Sequence, residues 1–270
     1  MEDIRDYIFR NISSRHYRCN LKVERDGIIS GMKEAMEAAE KIGIGIEYIV
    51  SEGTPVKKGE VIAIFHATPK QVGMADELFI GCLAKYSGIA TAAKRAVSLS
   101  GGCFEIASGA WKKMPHELKD KIRRAAEAGG VCSRIAPQPM IYLDKNAIRM
   151  FGSVAVALEN IKDLTDYQKV VQIRGEKASI KEETCQAIEH GGNLLMVDTG
   201  ITEDLEICIN TVNAMNYREK VRIAFAGDIK LDMLEGLRKY DIDTLCIGKE
   251  IVDAPLLDMK LDVIEICKES

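Results

Sequence analysis

Residues 194–249 read LLMVDTG ITEDLEICIN TVNAMNYREK VRIAFAGDIK LDMLEGLRKY DIDTLCIGK. Three short apolar runs, at 194–197, 221–226 and 244–247, have the length and composition of strands. Between them, 204–213 and 231–239 carry helical periodicity. Strand followed by helix at this spacing is the pattern of parallel β/α units.

The pattern extends backwards from there. Strands are expected at 104–107, 140–143 and 169–173, and helices at 116–128, 154–161 and 180–190. About six such units suffice to curl into a barrel, closed or partly open. The first hundred residues are different. A weakly alternating run at 21–25 ends in the turn signal Asp26-Gly27. A dense block of helix formers occupies 32–41, strands are expected at 46–50 and 61–66, and the turn-rich connector 53–59 separates them. A long helical stretch, 75–98, is expected to break at Ser87-Gly88. The final run, 256–267, reads as a strand that returns to the first domain, since chain ends often lie close together. The expected fold is therefore α/β: an N-terminal α/β sandwich domain over 1–103, joined by 250–270, and an incomplete parallel β/α barrel over 104–249.

Composition narrows the function. The net charge of −4 and the scattered Lys and Arg give no footprint for nucleic acid. No apolar stretch approaches the roughly 20 residues that span a bilayer. The N-terminus MEDIRDYIFR is charged and lacks the apolar segment of a secretory signal. A cytoplasmic location is the expectation. The eight cysteines form no C-x-x-C pair and no zinc spacing, and most lie in apolar runs, where Cys acts as a small hydrophobe.

In a β/α barrel, ligands sit at the C-terminal ends of the strands, and phosphate is often held by backbone N–H groups in the loops after the last strands. Two glycine loops occur there, Ala226-Gly227-Asp228 and Ile247-Gly248-Lys249, the second adding a cation. Each glycine alone could simply make a turn; paired after consecutive late strands, they favour phosphate. Asp198 ends the run LLMVD, where a carboxylate can accept from ribose hydroxyls or hold a metal through water. Its alternative role is to cap the following helix, for which Thr202 is better placed. Lys112, Lys113, Arg134 and Lys145 form a basic set near the ends of the early strands, suited to a departing pyrophosphate or else to a solvated face.

With those residues in view, the chain resembles the quinolinate phosphoribosyltransferase family. The string LAKYSGIAT (83–91) carries the likeness most specifically. DGIISG (26–31) followed by GTPVKKGEVIAIFHA (53–67) fits the family's N-terminal domain. AGG (128–130), LDKNAIRMFGS (143–153), LLMVD (194–198), FAGDI (225–229) and DIDTLCIGK (241–249) follow in family order. The resemblance implies a phosphoribosyltransferase with Mg²⁺. It joins a pyridine carboxylate to 5-phosphoribosyl-1-pyrophosphate and releases pyrophosphate, with loss of CO₂ when the ring is quinolinate. It also implies a homodimer or homohexamer in which one subunit helps complete its neighbour's site.

Departures from the family pattern fall on the ring half of the site. The acidic–Arg pair before the SGIAT string reads Asp76-Glu77, placing a carboxylate where the family grips quinolinate. Thr-Arg-Lys-Thr becomes Ala110-Trp111-Lys112-Lys113, and His-Arg becomes Ser133-Arg134. Lys-Asp-Asn-His becomes Asp144-Lys145-Asn146-Ala147, and an acidic residue on the next strand becomes Gln172. Glu77, Lys145 and Gln172 are thus the expected ring contacts, and Asp198 the expected metal contact. Gly227, Asp228, Gly248 and Lys249 are the expected phosphate loops. Each unscreened like charge costs on the order of 1–4 kcal/mol at a few ångströms, so a dianionic ring looks disfavoured. The alternative is a divergent member that processes or binds a pyridine nucleotide without turning over quinolinate.

Overall fold

The computed structural model describes residues 3–267. In chain order the elements are α1 (Ile4–Ile8), β1 (Tyr17–Val23), β2 (Gly27–Ile28), α2 (Met32–Ile42), β3 (Gly45–Ile49), β4 (Pro55–Val56), β5 (Val61–Ala67) and α3 (Pro69–Ser100). Then come β6 (Glu105–Ala107), a 3₁₀ turn at Ala110–Lys113, α4 (His116–Ala128), β7 (Met140–Leu143), α5 (Lys145–Phe151) and α6 (Val154–Glu159). Next are β8 (Gln168–Ile173), α7 (Ile180–Glu189), β9 (Leu194–Asp198), α8 (Thr202–Ala214) and β10 (Arg222–Ala226). A 3₁₀ turn at Leu231–Met233 runs into α9 (Leu234–Leu237), followed by β11 (Thr244–Cys246), α10 (Lys249–Val252) and β12 (Met259–Ile266).

Two compact units result. One comprises the described residues up to Arg95, the segment Met114–Gly130 and the described residues from Ile251 on; the other comprises Ala96–Lys113 and Val131–Glu250. The first unit holds a four-stranded antiparallel sheet, β12-β1-β5-β3, so the late strand does pair with the first one. Leu21, Phe65 and Phe79 are fully or almost fully buried in its core.

The expected break at Ser87-Gly88 does not occur, because α3 runs through it unbroken. The sequence signal there serves packing instead. Gly88 lies so close to the Pro255 carbonyl group that a Cβ would sit 3.1 Å from its carbon and closer still to its oxygen. Ser87 Oγ accepts from Ser30 N at 3.0 Å, and Thr91 Oγ1 accepts from Ile28 N at 2.9 Å. Ile89 and Ala90 are fully buried. The SGIAT string is therefore a scaffold element, in which a helix offers small and hydroxylated groups to neighbouring backbone.

The second unit is a six-stranded parallel sheet in the order β6-β11-β10-β9-β8-β7. The first of its strands in sequence pairs with the last, which is what curling into a barrel requires. Cys132 adds a single parallel bridge to Ala107 at the β6 edge. Between this bridge and β7 the chain makes a short loop rather than a helix, leaving the barrel incomplete. Side chains alternate along the strands. Val170, Leu194 and Ala224 pack inside with Met140, Tyr142 and Met196, while Val171 and Ile173 on the opposite face are fully buried. Several helical expectations shift. α8 begins at Thr202 rather than 204, and 231–239 forms only a 3₁₀ turn and one helical turn. Gly236 inside that stretch lowers its helical propensity.

Candidate active site

The C-terminal ends of the parallel strands place a run of polar groups side by side. β9 ends in Asp198, β8 in Gln172 and Ile173, with Arg174 next, and β10 leads into Gly227. Residues 170, 172 and 174 share one face of β8 by the two-residue period, so Gln172 and Arg174 both point where Val170 points, inward. Both reach Asp198. Gln172 Nε2 donates to Asp198 Oδ2, and Arg174 Nη1 donates to the same oxygen at 2.9 Å and to the Asp198 backbone carbonyl at 2.5 Å. Gln172 Oε1 in turn accepts from Lys145 N at 2.5 Å, which ties the ends of β7, β8 and β9 together.

Arg174 is held from behind. Its Nε donates to Glu176 Oε1 at 2.9 Å, and Arg149 Nη2 lies 2.6 Å from Glu176 Oε2. Arg174 first, and Arg149 second, hold the Glu176 carboxyl below the usual range. The loop carrying Arg174 and Glu176 is pinned by the buried Glu183 of α7. Its carboxylate accepts backbone N–H bonds from Arg174, Gly175, Glu176 and Lys177, at 2.8 to 3.2 Å.

On the other flank of Asp198 the loops after β9, β10 and β11 converge. Gly200 N donates to Ala226 O at 2.9 Å. Gly200 and Gly227 both have positive φ, and each leaves no room for a Cβ on the other. Leu231 N donates to Glu250 Oε2 at 2.6 Å, linking the β10 loop to the start of α10. The Asp228 carboxylate is taken by Lys230 at 2.8 Å, and its pKa is lowered mainly by that bond, with Lys249 adding to the field. Gly248 sits against Ala110, and Lys249 is exposed.

The early basic residues fall at the β6 and β7 end of the same rim. Lys112 Nζ lies 5.7 Å from the Tyr142 ring centre and 5.8 Å from that of Trp111. Trp111 Nε1 donates to Ser133 O at 3.0 Å, so this indole is an anchor for the loop bearing Arg134. Lys113, Arg134 and Lys145 are exposed. Tyr142 and Cys246 line the interior beneath. Burial first, and Asp198 second, push the Cys246 thiol up to about 12 and raise the Tyr142 pKa as well.

The structure thus gathers Lys112, Lys145, Gln172, Asp198, Gly227, Asp228, Gly248 and Lys249 along the strand ends of one unit. Glu77 belongs to α3 in the first unit, where it is largely exposed and pairs with Arg5 at 2.9 Å. Asp198 does not cap α8, whose cap position is Ile201 with no side-chain bond. Arg174, Glu176 and Glu183 were not anticipated. The signal for Arg174 was available, since it lies two residues beyond Gln172 on the same strand face.

Among the described residues no three His, Cys, Asp or Glu side chains come together as a metal-holding group. One oxygen of Asp198 is already committed to Gln172 and Arg174. Such a donor set offers no all-protein cage. Mg²⁺, if held here, would take at most the one carboxylate of Asp198, with water and substrate phosphates supplying the rest.

The model of the quinolinate phosphoribosyl transferase N-terminal domain matches residues 4–87, and that of the C-terminal domain matches residues 89–262. The chain belongs to the quinolinate phosphoribosyl transferase family. Among curated relatives, a probable nicotinate-nucleotide pyrophosphorylase (carboxylating) of Archaeoglobus fulgidus is 23% identical over 242 residues, covering 89% of this chain and 92% of the relative. The nicotinate-nucleotide pyrophosphorylase (carboxylating) of Rattus norvegicus is 24% identical, covering 87% and 78%. The fold matches the solved nicotinate-nucleotide pyrophosphorylase of Pyrococcus furiosus with a TM-score of 0.84 at 20% identity, over 97% of this chain and 72% of that one. NadC from Streptococcus pyogenes gives 0.82 at 18%, over 99% and 92%. The family's fold is thus present in this chain.

Proposed function

We propose that the protein is a phosphoribosyltransferase that joins a pyridine carboxylate of the quinolinate or nicotinate kind to 5-phosphoribosyl-1-pyrophosphate and releases pyrophosphate. The observation that carries this reading is the convergence of the β9, β10 and β11 loops beside Asp198, within a chain matched by both domains of the family. The glycine loops at 227 and 248 hold the 5-phosphate with backbone N–H groups, Gly227 letting the β9 and β10 loops pack closely together there. Asp198 faces the ribose hydroxyls. Lys112, Lys113 and Arg134 draw charge from the departing pyrophosphate as positive charge develops on the ribosyl carbon. Mg²⁺, when bound with the pyrophosphate, adds charge neutralisation on the leaving group.

Two features belong to the same reading. Homodimer or homohexamer assembly follows the family, and size-exclusion chromatography with light scattering checks it. A cytoplasmic setting suits a chain whose cysteines form no disulfide among the described residues. The decisive experiment supplies purified protein with Mg²⁺, phosphoribosyl pyrophosphate and a panel of pyridines, and measures pyrophosphate. Release with a carboxylated ring supports the assignment. No release with any ring overturns it.

A further inference from the structure

We infer that Arg174 is a substrate-binding residue that reads a carboxylate on the ring from the end of β8. This rests on the transferase reading and names a residue for its ring specificity. Three observations carry it. First, Arg174 is only partly used. Its Nε serves Glu176 and its Nη1 serves Asp198, while its Nη2 edge makes no hydrogen bond among the described residues. Guanidinium forks suit carboxylates because two parallel donors match two acceptors.

Second, the surroundings are cationic. A recess at this point is walled by Lys145, Arg149, Gln172, Arg174 and Lys177. The two carboxylates that also line it are committed, Glu183 to four backbone amides and Glu176 to Arg149 and Arg174. Its cavity volume of about 10 Å³ admits one water-sized group such as a carboxylate oxygen, and is far too small for pyrophosphate. Third, strand order sets the direction. Asp198 on β9 stands between Arg174 on β8 and the glycine loops on β10 and β11. With the 5-phosphate on the glycine side, Arg174 lies on the side where the reacting carbon and the ring are found.

The test compares wild type, Arg174→Met and Arg174→Lys on pyridine-3-carboxylate and on its amide, which has the same shape without the charge. Wild type is expected to prefer the acid. Arg174→Met is expected to lose that preference by roughly tenfold to a hundredfold in kcat/KM, with the KM for phosphoribosyl pyrophosphate within about twofold of wild type. Arg174→Lys is expected to recover part of the preference. An equal fall for acid and amide, or a matching rise in the KM for phosphoribosyl pyrophosphate, would mean that Arg174 only positions Asp198 and would overturn the inference. Calorimetric titration of both rings into wild type and Arg174→Met separates this result from failure of the transferase reading. Selective binding of the acid that Arg174→Met abolishes supports the residue's role even without turnover. Absent or unselective binding by wild type rejects it.

Discussion

Replacing Gly227 by Ala tests the loop on which the phosphate reading stands. Gly227 has φ of +113°, a conformation L residues rarely adopt, and a Cβ there would lie 2.6 Å from Thr199 C, 2.9 Å from Gly200 Cα and closer still to Gly200 N. All three are backbone atoms that no rotamer change can move aside. The strained φ costs about 1–3 kcal/mol. Overpacking against fixed atoms adds about 1–3 kcal/mol, with backbone partners pointing to the upper end. The expected loss is roughly 4 kcal/mol, a large part of the ~5–15 kcal/mol that typically holds a protein folded. Gly191→Ala is the matched control, because Gly191 has φ of +82° with nothing within 4 Å of an added Cβ. It carries the strain without the clash and is expected to lose about 1.5 kcal/mol. At about 2–4 °C per kcal/mol for a chain of this size, the thermal midpoints should fall by roughly 8–16 °C and 3–6 °C. Pyrophosphate release titrated with phosphoribosyl pyrophosphate should show a KM raised at least tenfold in Gly227→Ala and unchanged in the control. The reasoning is falsified if Gly227→Ala melts with Gly191→Ala and keeps its affinity for the sugar phosphate.

Glu183→Ala removes the acceptor of four backbone N–H groups at a buried position and is expected to cost about 3 kcal/mol, with Glu183→Gln milder because one oxygen remains. Hydrogen exchange should show the amides of 174–177 losing protection; wild-type protection in Glu183→Ala would refute the pinning of this loop. In the first unit, Arg18 and, after it, His66 hold the Glu47 carboxyl down at about 2, against an ordinary value of 4.5. A depressed carboxyl stabilises the fold fully above its unfolded value and loses that contribution as pH falls through the folded one. Stability should therefore decline between pH 4.5 and 2, and Glu47→Gln should flatten that decline in denaturant melts; an unchanged slope would show that the triad does not govern acid stability.

Much of this architecture is legible in sequence because local pattern and tertiary use coincide. The strand 194–198 is a short apolar run that ends at the polar residue the site uses, and Gly227 sits where only a glycine fits. The misreadings have physical causes. Ser87-Gly88 looks like a break because glycine weakens helices, yet here its missing side chain admits the Pro255 carbonyl, a contact 167 positions away in sequence that no window contains. Arg174 shares a strand face with Gln172, but that spacing alone assigns it no partner. Its role appears only when β8 and β9 lie in register and Asp198 comes within 2.9 Å. The role of Glu183, within the expected helix 180–190, depends on the preceding loop folding back onto it.

The charge balance at the ring side follows from where each carboxylate is spent. From sequence, Glu77 and Asp144 count against an anionic ring. In the fold, Glu77 is largely exposed and paired with Arg5, which screens it. Asp144 is the N-cap of α5, its Oδ1 accepting from Ala147 N at 2.8 Å, so its charge faces the positive end of a helix. Gln172 is neutral, and Arg174 adds a guanidinium that pairs with Asp198 through only part of its donor set. The rim around β8 is therefore more cationic than the list of substitutions suggests. Fixed cations next to committed carboxylates favour an anionic ligand there.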